Sequence, residues 1–188
     1  LQDRSINYDL KIVCFDSENW IGNGYLIPSG PLREKIDSLK KYDIIFLKGE
    51  CFNEEKIFRL IKDQNPEIKV FQTYYEAVNL NKFNVKNDYL IFSGIGNPNN
   101  FRNTLIKNNF NIVDEIIFPD HYEYKQEDIE KIKFTAKKLN AKIITTEKDY
   151  VKLSGKDTDN IDFLEIDLRI KNERDLINFI NPLINEKY

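Results

Sequence analysis

Tyr89-Leu90-Ile91-Phe92 runs directly into Ser93-Gly94-Ile95-Gly96-Asn97-Pro98, and the reading of this stretch decides the fold. Four consecutive apolar residues form a strand buried on both faces. The two glycines demand a tight turn. Asn97 suits a helix N-cap and Pro98 the first helical position. The helix then runs to about residue 109, with Phe101 and Leu105 stacked at i,i+4. Strand, tight turn and helix in succession are the building unit of a parallel α/β sheet.

The same grammar continues outward. Downstream, residues 112–118 form a strand that Pro119-Asp120-His121-Tyr122 breaks. Residues 127–139 form a helix with Ile129, Ile132, Ala136 and Leu139 on one apolar stripe. Residues 142–145 are a strand, and Thr146-Glu147-Lys148-Asp149 has the form of a capping box opening a short helix. Residues 163–166 are a last strand, and Asn172 caps a final helix that Pro182 ends. Upstream, residues 10–15, 43–47 and 68–73 read as strands. Residues 32–41 have helical spacing, and Asn53 caps a helix through about Lys62. The expected fold is therefore α/β over residues 1–188, a largely parallel sheet flanked by helices. The polar, aromatic stretch 74–88 is the best place for a sub-boundary.

Composition bounds the function. The chain has 188 residues, 28 Lys+Arg and 31 Asp+Glu, for a net charge of −3. That length allows one domain, or one and a part. With 41% hydrophobic and 31% charged residues it is an ordinary globular composition, too apolar for disorder. A mildly acidic balance leaves no electrostatic footprint for nucleic acid. No apolar run reaches 18 residues, so no transmembrane helix is expected. The two cysteines, Cys14 and Cys51, form no metal-ligand pattern. The chain contains no Met. That absence suggests an excerpt of something longer.

Four segments are candidates for chemistry. The long connection Gly22-Asn23-Gly24-Tyr25-Leu26-Ile27-Pro28-Ser29-Gly30-Pro31-Leu32-Arg33-Glu34 is either a plain strand-to-helix link or a functional loop. It puts a guanidinium and a carboxylate beyond the carboxyl end of a strand, the edge where open α/β sheets bind ligands. Arg33 there is either a phosphate clamp or a structural partner of Glu34. The Gly94–Asn97 turn is either a structural turn or an anion cradle at a helix N-terminus; it lacks the third glycine of a dinucleotide fingerprint and the Gly-Lys ending of a P-loop. His121, the only histidine, follows a strand among turn residues. It is either an exposed structural residue or a general base, a role suited to an imidazole because its ordinary pKa lies near neutrality. In Thr146-Glu147-Lys148-Asp149 the capping box explains Thr146 and Asp149, and Lys148 is either a surface charge or a phosphate-neutralising one.

Taken in order, IGNGYLIPSGPLRE, FSGIGNP, FPDHYEY and TTEKDYVKL resemble the tetraacyldisaccharide 4′-kinase (lipid A 4′-kinase) family over essentially the whole chain. Leu1-Gln2 resembles the end of that family's Asp-Asp-Gly-Phe/Leu-Gln element. One departure is Asn19-Trp20, which stands where the family has an Arg-Gly pair. The resemblance implies a P-loop NTPase-like fold and transfer of the ATP γ-phosphate to the 4′-hydroxyl of a tetraacyldisaccharide 1-phosphate, giving lipid IV A. It implies His121 as catalytic base, with Arg33, Glu34, Asn23, Gly96 and Asn97 in substrate or phosphate binding and no metal ligand among them. ATP and Mg²⁺ are the implied cofactors, with the Mg²⁺ ligands mainly in the family's Walker A half. The implied setting is the cytoplasmic face of the inner membrane.

No Walker A sequence occurs in the chain. The expectation is therefore a C-terminal portion, inactive alone, partnered by the missing N-terminal half. The alternatives are a non-catalytic sugar- or anion-binding module and the remnant of a split or decayed kinase gene.

Overall fold

The computed structural model describes residues 8–49, 54–153, 155 and 158–185. Two compact units divide the chain, one comprising Leu1–Glu76 with Leu168–Tyr188, the other Ala77–Asp167.

In the first unit the parallel strands β1 (Ile12–Asp16), β2 (Ile44–Lys48) and β3 (Lys69–Ala77) lie in that order, with β8 (Ile166–Ile170) on the far side of β3. The Lys171–Gln72 and Arg169–Glu76 contacts step in opposite directions along the two strands, so β8 returns antiparallel. Helix α1 (Glu54–Gln64) covers one face, closing Ile57 and Ile61 over Ile45 and Leu47. Helix α5 (Glu173–Asn185) covers the other, placing Leu176 against Ile44 and Phe71. Asn53, the expected cap of α1, lies outside the described residues.

The second unit is a wholly parallel sheet in the order β5 (Asn111–Ile117), β4 (Asp88–Ser93), β6 (Lys142–Thr146), β7 (Ile161–Leu164). The unbroken apolar run of β4 is explained by two covered faces. Tyr89 and Ile91 pack under Phe101 and Leu105 of α2 (Pro98–Lys107). Leu90 and Phe92 pack under Ile129, Ile132 and Ala136 of α3 (Gln126–Leu139). The neighbouring strands β4 and β5 thus send their helices to opposite faces. That arrangement opens a crevice at their carboxyl ends. A one-turn helix α4 (Glu147–Tyr150) follows β6.

Several expectations are corrected. Residues 32–41 do not form one helix; only Ile36–Lys41 coils, as a 3₁₀ turn, because residues 31–35 are drawn into a preceding loop. Leu139 is exposed at the end of α3, where Asn140 (φ 52°) turns the chain out of the helix. The single strand expected at 163–166 is two strands broken at Glu165, whose N–H bonds the Asn79 side chain. Pro182 lies inside α5 instead of ending it. It sits on an exposed face, so the Asn178 carbonyl freed by the missing N–H points to water while the apolar face continues.

Candidate active site

The crevice of the second unit is built by three loops, each leaving the carboxyl end of a parallel strand. Gly94 and Gly96 follow β4, Asp120 and His121 follow β5, and Lys148 and Asp149 follow β6.

Asp149 joins two of these loops. Its side chain is 0% exposed. Oδ2 accepts from the Gly94 N–H at 2.8 Å and from the Thr146 hydroxyl at 2.8 Å, while Oδ1 receives Lys152 Nζ at 2.8 Å. The expected capping box is half present: Thr146 Oγ1 accepts from the Asp149 N–H at 3.1 Å. The Asp149 carboxylate itself is directed to Gly94 and the Thr146 hydroxyl. Residue 94 is tightly enclosed: a Cβ there would lie 3.0 Å from the Tyr124 hydroxyl and 3.2 Å from the Pro119 carbonyl oxygen. Burial, followed by the nearby Asp149 charge, pushes the Tyr124 hydroxyl pKa upward. That hydroxyl makes no hydrogen bond among the described residues, nor does the buried Ser93 hydroxyl.

His121 sits on the rim. Its side chain is 77% exposed, and its φ of 60° turns the chain sharply after Asp120. The Asp120 carboxylate accepts from the His121 N–H at 3.0 Å and from Lys148 Nζ at 3.4 Å, and Oδ2 lies 3.8 Å from His121 Nε2. Slight desolvation raises the Asp120 pKa, but the Lys148 and His121 contacts outweigh it and hold the carboxyl below its usual range. The turn is braced from below by aromatic rings: Phe118 to Tyr122 at 4.8 Å and Tyr122 to Tyr124 at 5.5 Å. The Tyr122 hydroxyl donates to Asp128 at 3.0 Å, which raises its pKa.

Gly96 and Asn97 join this cluster as backbone. A Cβ on Gly96 would lie 3.3 Å from Asp120 Oδ2. Asn97 caps α2, its side chain accepting from the Asn100 N–H at 3.3 Å with Pro98 behind it.

The first unit holds Asn23, Arg33 and Glu34. Asn23 is committed to its own loop, donating to the Ser29 carbonyl at 2.8 Å and accepting from the Tyr25 N–H at 3.1 Å. Tyr25 and Ile27 pair with Leu32, so residues 22–32 close on themselves as a compact surface loop. Arg33 is exposed and Glu34 half-buried. Both line an open cleft of 690 Å³ with Phe15, Asp16, Trp20 and Leu39. Burial, then the Glu34 charge, raises the Tyr42 pKa beside this cleft. Trp20 has a φ of 42°, a backbone that favours glycine, and its ring rests on Phe15 at 4.6 Å.

Asp120, Asp149, Lys152 and Tyr124 are the members of the crevice that motif reading did not assign to it. A capping box at the end of an apolar strand, with a lysine one turn later, is the signal that marks Asp149. Among the described residues no group of three or more His, Cys, Asp or Glu side chains gathers as metal ligands.

Fold and site together define a doubly wound α/β protein with an imidazole, a carboxylate and an ammonium gathered beyond the carboxyl ends of parallel strands. The family model described as LpxK: Tetraacyldisaccharide-1-P 4′-kinase matches residues 1–185, and the chain belongs to that family. It is 45% identical to the tetraacyldisaccharide 4′-kinase of Pelagibacter ubique, aligned over 100% of this chain and 59% of that protein. It is 41% identical to the Rickettsia bellii protein of the same name, over 92% of this chain and 52% of that protein. The chain thus spans about half the length of the curated relatives it matches. The crystal structure of "apo" form LpxK from Aquifex aeolicus in complex with ATP matches with a TM-score of 0.64 and 21% identity. It covers 97% of this chain and 55% of that one, and it bears on the fold alone.

Proposed function

We propose that this chain carries the proton-accepting part of a tetraacyldisaccharide 4′-kinase. The observation that carries the reading is the Asp120–His121–Lys148 cluster at the carboxyl edge of the parallel sheet. The phosphoryl acceptor is the 4′-hydroxyl of a tetraacylated disaccharide 1-phosphate and the donor is ATP. The hydroxyl oxygen forms the new bond to the γ-phosphorus as the bond to the ADP oxygen breaks, and ADP leaves with that electron pair. The hydroxyl proton passes to the His121 ring, which is open to solvent and flanked by the Asp120 carboxylate that stabilises the imidazolium. Lys148 holds Asp120 in place. Gly96 leaves the room Asp120 occupies, and Asn97 fixes the helix that follows. Arg33 and Glu34 take binding roles on the family resemblance, Arg33 as a bidentate anion ligand. Asn23 serves by shaping the loop that presents them. On the family resemblance, the ligands of Mg²⁺ belong mainly with the Walker A segment.

The amphiphilic acceptor places the working enzyme at the cytoplasmic face of the inner membrane. No helix among the described residues is long and apolar enough to cross a membrane.

The test is transfer of labelled phosphate from Mg-ATP to tetraacyldisaccharide 1-phosphate in detergent. It is run with the chain alone, with a supplied Walker A half, and with that pair carrying His121→Ala. Turnover only in the second arm supports the proposal. Turnover by the chain alone, or full turnover by the His121→Ala pair, overturns it. Silence in all three favours a binding module or a remnant of a decayed gene.

A further inference from the structure

We propose that Asp149 is a positioning residue for this site: its buried carboxylate locks the β4–α2 turn to the β6–α4 turn and so sets Lys148, Asp120 and His121 in register.

A helix cap alone does not account for Asp149. An N-terminal capping function needs only one acceptor for the first free backbone N–H groups. Here the hydroxyl of Thr146 already fills that role. The carboxylate is fully buried and takes three contacts: the Gly94 N–H, the Thr146 hydroxyl and the Lys152 ammonium. Burying a carboxylate is costly even when it is paired, so a buried ion pair is a poor stability device. What the arrangement does supply is geometric. Gly94 belongs to the loop after β4, and Asp149 to the one-turn helix α4 directly after β6, so the carboxylate bridges two parallel strands at the edge where the chemistry lies. The third loop is gripped between them. The Gly94 backbone approaches the Pro119 carbonyl closely: a Cβ there would lie 3.2 Å from its oxygen. Lys148, next to Asp149, reaches across to Asp120, and Asp120 bonds the His121 backbone. Lys152 also lies over the Tyr124 ring at 5.8 Å, tying the aromatic brace of the His121 turn to the same carboxylate.

The catalytic consequence rests on His121 being the proton acceptor; the positioning itself does not. Two readouts in the ¹⁵N-labelled 188-residue chain address the positioning. The first is amide hydrogen exchange at Gly94 beside that at Ile91 and Ile144 in the neighbouring strands. The second is the imidazole resonances of His121, unambiguous because the chain has one histidine. For Asp149→Asn, nearly the same shape without the charge, Gly94 exchange is expected to accelerate about tenfold or more while Ile91 and Ile144 stay within about threefold. The His121 resonances move. Thr146→Val removes the cap and one of the carboxylate's three donors but keeps the Asp149–Gly94 bond, so Gly94 exchange is expected to accelerate less than in Asp149→Asn.

Unchanged Gly94 exchange and unchanged His121 resonances in Asp149→Asn overturn the proposal. So does parallel loss of protection at Gly94, Ile91 and Ile144, which would make Asp149 a determinant of folding alone. In the reconstituted kinase, Asp149→Asn is expected to lower kcat about tenfold or more with both KM values within about threefold. An unchanged kcat would overturn the catalytic consequence. Exchange and imidazole resonances need neither nucleotide nor lipid, so a failure of the kinase reading leaves them readable.

Discussion

The loop at residues 22–34 and the loop after β4 in the second unit both carry glycines, yet these serve different ends. In the first, Gly22 and Gly30 allow a loop to fold on itself. A Cβ at Gly30 would overlap the Asn23 side chain and the Tyr25 carbonyl. In the second, Gly94 and Gly96 let separate loops approach one another, and what lies against them is Asp149, Tyr124 and Asp120. The longest and most distinctive motif thus spends most of its residues on its own shape. The shorter motifs, each ordinary alone, converge on one crevice. Specificity of a sequence pattern reports how tightly a backbone is constrained; it does not locate the chemistry.

Substitutions separate the two cases. The largest effect is expected at His121. Replacing it with alanine in the reconstituted kinase should cost about 10²–10⁴-fold in kcat. The same change should leave the melting temperature within about 1 °C, because an exposed side chain contributes little to stability. A matched loss of stability and activity would move His121 into the structural class with Gly30.

Gly30→Ala should behave in the opposite way. The overlap forces the loop open and costs about 1–3 kcal/mol. That lowers the melting temperature by several degrees in a chain of this size. Gly96→Ala is its counterpart. The added methyl meets only the tip of the Asp120 side chain at 3.3 Å, so stability should change by less than about 0.5 kcal/mol. Asp120 must shift, and activity should fall while the fold holds. Equal melting temperatures for the two variants would erase the distinction between the loops.

Asn97→Ala tests the middle ground. It removes the cap of α2 and should cost about 1 kcal/mol by thermal or denaturant unfolding. Asn97→Asp should retain most of that stability, since a carboxylate caps as well and complements the helix dipole.

How far the sequence carried the reading depended on what each residue answers to. The strand at 89–92 and the Ile129, Ile132 and Ala136 stripe of α3 are legible because burial fixes their pattern. The break at Glu165 was not, because it is made by Asn79, 86 residues away. Pro182 does not end its helix as proline ordinarily does, because its face of α5 is open to water. Thr146 was recognised as a cap because its partner is three residues away. The larger role of Asp149 depends on Gly94, 55 residues distant, and no local pattern encodes that meeting. Asp120 beside His121 was visible as a neighbour in sequence. That it lies against both the imidazole and Lys148 required the fold.

The smallest expected effect belongs to the first unit, and it compares a charged pair there with the Asp149 network. Asp16 closes β1 and Lys48 closes β2, in register and 2.6 Å apart. Burial raises the Asp16 pKa, but the Lys48 ammonium and the backbone N–H of Glu18 outweigh it, so the carboxyl titrates below its ordinary 3.8. A carboxyl with a depressed folded pKa contributes stability above its unfolded value and loses it as pH falls through the folded one. The pair should therefore act in full above pH 3.8 and fade below it. Partly exposed, it should contribute less than about 1 kcal/mol. Asp16→Asn removes the titrating group. Its melting temperature should lie slightly below that of the parent at about pH 6 and converge with it as acid protonates Asp16. A gap that widens with acid would reverse the sign and mean that Asp16 is held protonated by its burial in the cleft. Asp149→Asn should instead disturb Gly94 directly, because the partners of Asp149 are a backbone amide and a hydroxyl as well as a lysine.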